Sequence, residues 1–254
     1  DVLLIDVRHT DGLVLNEFKR RLFEEFGIQS HLYEHLWEYE QYVRLAPPAI
    51  AVLKALGVPD GQTTILAHEF MGMPTALAAK LEPYCNFITA FYAHEVATVR
   101  RIVEEHPGHD TMFYNVMRQA HADRLYVNEV FGNQYTYFKH ALVEAAKHCD
   151  RIYAVGDSVA EEMRFLAPEF ETASIDIVYN GIPAYEISLT QKHAARDKLQ
   201  RYCENLLGFR PDYVFTHVTR LVRSKGLWRD LLVLEQMEKG LREEGKSAGF
   251  LLLS

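Results

Sequence analysis

Cysteine is scarce in this chain. The three present, Cys85, Cys149 and Cys203, lie far apart and form no C-x-x-C pair, which leaves no framework for a disulfide scaffold or a zinc knuckle. A reducing, cytoplasmic setting is expected. Long apolar runs are missing too: none approaches the roughly 20 residues needed to cross a bilayer, and the opening DVLLIDVRHTDG carries no basic segment ahead of an apolar one. No membrane association is expected. Positive charge is in deficit, with 35 acidic against 27 basic side chains and a net charge of -8, which argues against nucleic acid as a partner. There is no repeat of fixed period and no low-complexity linker. The first residue is not Met, and a piece of a longer protein is expected.

What is present is an ordinary globular composition, 48% apolar and 24% charged over 254 residues, long enough to bury roughly 70–75% of its unfolded surface. Short β-rich runs alternate with longer helical ones. Strands are expected at 2–7, 63–68, 86–92, 151–155, 175–179, 212–218 and in the terminal GFLLLS. Their apolar residues run continuously rather than alternating, as in strands covered on both faces. Helices are expected over 15–27, 38–57, 74–82, 96–106, 135–148, 158–167, 192–208 and 227–245; several close on glycine, and Ser158 stands where an N-cap would. The alternation predicts an α/β fold, a Rossmann-like parallel sheet with helices on both faces. The last strand, helix and strand are too small to bury a sheet of their own. One domain is therefore expected over 1–208, with the start of a second Rossmann-like domain over 209–254.

Several polar groups fall where strands pass into helices, the edge at which parallel sheets bind ligands. YVFTHVTRLVRSKGLW, residues 213–228, ends a strand in Arg220, Arg223 and Lys225, with Gly226 behind them. Although the whole chain is acidic, Lys and Arg outnumber Asp and Glu between Lys192 and Arg229. Cations beside a helix N-terminus suit a polyvalent anion such as a diphosphate; a solvated basic turn has the same spacing. TILAHEFMGMP puts His68 and Glu69 at a strand end, before a helix opened by Pro74. FITAFYAHEVATVRR does the same with His94 and Glu95, and carries Arg100 into the next helix. His94 is placed to bond a hydroxyl or exchange a proton near neutral pH. Either histidine also reads as a hydrogen-bonded strand end. No third ligand stands at metal spacing, and His106 and His109 read as loop residues, so no metal is expected. DIVYNGIP ends a strand in a turn at Asn180-Gly181 that can present amide groups.

Taken together, YNGIP followed about forty residues later by RLVRSKG resembles the retaining glycosyltransferases of the two-Rossmann (GT-B) architecture. The chain looks closest to glycogen synthases of the animal and fungal type. ILAHEFMGMPTAL resembles their His-Glu-Trp segment, with Phe70 for Trp, and ITAFYAHEVATVRR keeps the offset between His94 and Arg100, with Val99 for Gly. The likeness spans essentially the whole chain: an N-terminal, acceptor-side domain lacking its first strand, then the opening of the nucleotide-sugar domain.

The resemblance implies transfer of glucose from UDP-glucose or ADP-glucose to an α-1,4-glucan with retention, and no further cofactor. It implies that Arg220 and Lys225 bind the diphosphate, His94 the donor sugar, and that Arg100 is an active-site arginine. His68, Glu69, Asn180 and Gly181 would serve substrate binding, Glu69 in a structural or acceptor-side role. Homo-oligomerisation is left open. The sequence departs from the family at His217 and Val218, where a glycine usually precedes the arginine, and lacks the glycine-rich loop and the later paired glutamates. The chain by itself is expected to be inactive. The alternatives are another retaining GT-B transferase, making trehalose, sucrose or a surface polysaccharide, and a non-catalytic carbohydrate-binding relative.

Overall fold

A computed structural model describes residues 4–58 and 63–254. In chain order its elements are α1 (Gly12–Phe26), α2 (Trp37–Ala55), β1 (Thr64–His68), α3 (Glu69–Lys80), β2 (Ile88–Ala93), α4 (Ala97–Glu105), α5 (His109–Ala122), α6 (Val127–Phe131), α7 (Phe138–Glu144), β3 (Arg151–Ala154), α8 (Asp157–Leu166), α9 (Glu169–Thr172), β4 (Ile175–Ile177), α10 (Leu189–Leu207), β5 (Tyr213–Val218), α11 (Leu227–Glu243) and β6 (Ala248–Leu253). Contacts divide the chain into two compact units, one extending to Ile102 and including Thr111–Asn180, the other comprising Val103–Asp110 and Gly181–Ser254.

The first unit is a Rossmann-like parallel α/β layer structure. Its sheet runs β1-β2-β3-β4, all parallel and in sequential order, with Ala67 beside Phe91, Phe91 beside Ile152 and Ile152 beside Ile175. Helices flank it because each crossover between parallel strands needs one. Phe91, Ile152 and Ala154 are buried, and a fully buried Phe contributes roughly 2–3 kcal/mol. Tyr33, Tyr39, Phe70 and Phe138 interlock, Tyr33–Phe138 tilted and the other contacts edge to face, with neighbouring centroids 5.2 to 6.4 Å apart, and anchor α3 against α2 and α7. Asp150, just ahead of β3, accepts the Thr89 amide and hydroxyl at 2.8 Å each and pairs with Lys80 at 2.6 Å, which aligns the starts of β2 and β3.

The second unit holds a two-strand parallel sheet, β5-β6. Ser188 caps α10 reciprocally with Gln191, and Gly208 closes it in the left-handed conformation. The fully buried Cys203 turns α10 toward this sheet, where an added Cβ on Gly249 would stand 3.3 Å from its sulfur.

Some local readings are corrected. Of the run 2–7, Val2 and Leu3 lie outside the described residues, and the rest is not a strand: Asp6 accepts the Arg8 amide at 3.0 Å and starts a one-turn 3-10 helix over Val7–His9. The β1-following helix opens at Glu69, five residues ahead of Pro74. Ser158 lies inside α8, whose N-cap is Gly156. His109 opens α5 and is not in a loop. The chain from Val178 to Ser188 is without regular structure, and no turn forms at Asn180-Gly181, because Tyr92 on β2 holds Val178 and Asn180 through side-chain hydrogen bonds.

Candidate functional site

In the first unit the carboxyl ends of β1 and β2 form one cluster. β1 passes into α3 with no connecting loop. Glu69 makes the corner with φ +56°, a left-handed conformation costly for a residue with a side chain. Gly72 permits it: a Cβ there would stand 2.6 Å from the Ala67 Cα. The corner turns Glu69 inward, where its Oε1 accepts the backbone N–H of His94 at 2.5 Å and of Glu95 at 2.9 Å. Its Oε2 is buried with no hydrogen-bond partner among the described residues. Burial, helped by the Glu95 charge and opposed by the two amides, pushes the carboxyl up to about 7.

His68 and His94 meet side on. Nδ1 of His68 lies 3.1 Å from Nε2 of His94, and the rings are within 18° of parallel. A contact between two ring nitrogens needs one donor and one acceptor, so the pair is not doubly protonated in this geometry. Burial first and the His68 charge second lower the His94 pKa below the usual imidazole value. Tyr92 packs its ring 4.2 Å from that of His94, and its hydroxyl donates to the Val178 carbonyl at 2.6 Å, with the Asn180 Oδ1 at 3.3 Å. Asn180 thus reaches the cluster through Tyr92. The buried Val99 lies on the α4 turn that carries Arg100. Arg100 pairs with Glu95 at 2.9 Å.

Arg220 and Lys225 belong to the second unit. The loop leaves β5, passes through a 3-10 turn at Arg223–Lys225 and enters α11 through Gly226, which sits at φ +65° with no side-chain cap. This is the strand-loop-helix arrangement expected from the sequence, with the α11 N-terminus behind the loop. His217 meets Asp230 at 2.5 Å and ties the strand end to the first turn of α11. Ser224 donates to Glu104 at 2.9 Å, and the indole of Trp228 donates to Asp110 at 3.0 Å. The exposed side chains of Arg220 and Lys225 make no hydrogen bond or ion pair with a described residue.

The structure therefore groups His68, Glu69, His94, Arg100 and Asn180 in one unit and Arg220, Lys225 and Gly181 in the other. No family model matches the chain. A search of curated proteins likewise returns no match. Among the described residues, no three His, Cys, Asp or Glu side chains stand together to hold a metal ion, and no helix is long and apolar enough to cross a membrane.

Two contributors escaped the sequence reading. Tyr92 precedes the strand-ending Ala93 and is legible only as an edge-proximal aromatic. Glu162 sits in α8, far along the chain, yet it faces the Val96 amide and accepts the Tyr114 hydroxyl at 2.6 Å. Nothing in its local pattern signals that contact.

Proposed function

We propose that this chain is the acceptor-side domain and the opening of the donor domain of a retaining GT-B glycosyltransferase, acting on a nucleotide diphosphate glucose and an α-1,4-glucan as glycogen synthases do. The observation that carries the reading is the loop at the α11 N-terminus, where the exposed Arg220 and Lys225 have no ion pair with a carboxylate among the described residues. A diphosphate leaving group gains charge as its bond to the sugar breaks, and cations beside free helix amides favour that charge. The forked Arg220 suits bidentate grip, the compact Lys225 a point contact.

In the same reading His94 bonds a hydroxyl of the donor sugar through its ring. Its Nε2 faces His68, which leaves Nδ1 to bond the sugar hydroxyl. Tyr92 and His68 provide aromatic and polar walls, Asn180 an amide, and Arg100 a guanidinium shared with Glu95. The protein works without a cofactor in the cytoplasm. Loss of one diphosphate contact in a transferase of this kind lowers the rate on the order of 100-fold.

Titration of UDP-glucose and ADP-glucose into the protein, followed by amide shifts, tests the proposal. Shifts at residues 219–226 that vanish in Arg220→Ala and Lys225→Ala are expected. Absence of binding by both nucleotides sinks the reading. The alternative of a non-catalytic carbohydrate-binding relative draws on the Arg100–Glu95 pair, which already occupies the arginine; glucan binding with no nucleotide response would favour it. Another retaining GT-B transferase would show nucleotide-sugar binding and no response to glucan.

A further inference from the structure

The turn that carries His94 is held by two buried carboxylates from opposite sides of it in sequence. Glu69, at the β1–α3 corner, takes the amides of His94 and Glu95. Glu162, on α8 after β3, faces that of Val96 and accepts the Tyr114 hydroxyl at 2.6 Å. Two successive N–H groups ahead of α4 are satisfied by Glu69 and the third, on Val96, faces Glu162; α4 begins at once, the Arg100 amide bonding the Val96 carbonyl at 3.0 Å.

The arrangement is expensive. Both carboxylates are more than nine-tenths buried, and neither has a Lys or Arg within ion-pair distance among the described residues. A neutral Ser or Asn cap would satisfy such amides without a buried charge. The groups facing the pair do not relieve it. Glu95 repels both, and Glu161 repels Glu162. Tyr114 is a neutral donor, His94 and His68 share one contact, and Arg100 is engaged with Glu95. What two carboxylates supply that a local cap does not is convergence: acceptors from β1–α3 and from α8 hold one turn against two neighbouring βα units.

We propose that Glu69 and Glu162 are positioning residues, which clamp the His94–Val96 turn so that the His94 imidazole stays seated against Tyr92 and His68 for contact with a sugar hydroxyl. This rests on the sugar-binding role given to His94 above. Carboxylate acceptance on the amides, not bulk, is the active property, and Gln at either position keeps an acceptor while Ala removes it.

The test combines amide hydrogen exchange, the His94 imidazole titration and glucose binding by saturation-transfer NMR on the folded protein. In Glu69→Ala the amides of His94 and Glu95, and in Glu162→Ala that of Val96, should exchange about tenfold faster or more. In both, the His94 pKa should rise toward the ordinary value and glucose should bind severalfold more weakly; Glu69→Gln and Glu162→Gln should restore all three. His94→Ala should lose glucose while amide protection stays. Tyr114→Phe, which deletes one bond to Glu162, should give a smaller acceleration confined to Val96, and serves if the alanine variants do not fold. Unchanged exchange in the variants overturns the clamp. Faster exchange with undiminished glucose binding overturns the positioning role. If the wild type binds no glucose, the sugar reading fails, and the clamp is then supported by a raised His94 pKa in the alanine variants or overturned by an unmoved one.

Discussion

His68 and His94, 26 residues apart in sequence, share a single contact of 3.1 Å between Nδ1 of one and Nε2 of the other. The register of β1 on β2 produces it: His68 pairs with Tyr92, and His94 follows two residues later.

This contact makes the titration of His94 depend on its neighbour. In proton NMR, His94 should titrate below the ordinary imidazole value, and His68→Asn should raise it part of the way, because burial is the larger cause and remains. A His94 pKa at the ordinary value in the wild type would contradict the geometry.

Glu69 makes fold stability depend on pH. Its folded-state pKa, about 7, lies above the ordinary carboxyl value of 4.5, so the folded chain binds the extra proton between them and stability falls as pH rises through that window. The full effect at pH 8 is on the order of 3 kcal/mol. Urea melts should show the difference between wild type and Glu69→Gln changing by up to this amount between pH 5 and pH 8. A difference that does not vary with pH would show that the carboxylate is not desolvated.

His140 acts with the opposite sign. It is fully buried, bonded through Nδ1 to the Thr98 hydroxyl at 3.0 Å, and burial lowers its pKa to about 4. The unfolded chain takes up its proton first, so this contribution to stability is present above about pH 6.5 and lost as pH falls toward 4. His140→Asn should blunt acid unfolding in that range; an unchanged acid midpoint would argue against it.

Gly72 is irreplaceable by alanine without movement of the β1–α3 corner, since the new Cβ would meet main-chain atoms of Ala67 at 2.6 and 3.0 Å. Gly72→Ala should destabilise by about 2–3 kcal/mol, measured by chemical denaturation. A cost below that of an ordinary surface substitution would mean the corner is less tight than described.

Tyr92→Phe removes the hydroxyl that holds Val178 and Asn180. A loss of about 1 kcal/mol is expected, with faster amide exchange around Val178–Asn180 while Phe91 on β2 stays protected. Uniform loosening of the whole sheet would contradict a role limited to that strand end.

Much of the layer architecture was legible from local pattern. The runs TILAH, ITAFYA, RIYA and IDI are strands within a residue or two of their expected limits, since continuous apolar runs bounded by polar strand ends are a local property of the chain. Gly27 and Gly208 close helices in the left-handed conformation for the same local reason. Of the run at 2–7, the described residues misled because Asp6 accepts the Arg8 amide and starts a one-turn 3-10 helix there. Pro74 misled because proline is favoured in a first turn and costly beyond it, whereas here it stands inside a helix whose start was set by the corner at Glu69.

The amino-acid order alone determined that His68, His94 and the Arg220–Lys225 loop stand at strand-to-helix transitions, because hydrophobic periodicity and glycine placement are written in neighbouring residues. Only the tertiary structure decided that Glu69 and Glu162, 93 positions apart, close on one turn, and that Tyr92 holds Asn180. Those contacts exist through strand register and helix packing, which bring distant residues within hydrogen-bond reach and leave no periodic trace in the sequence.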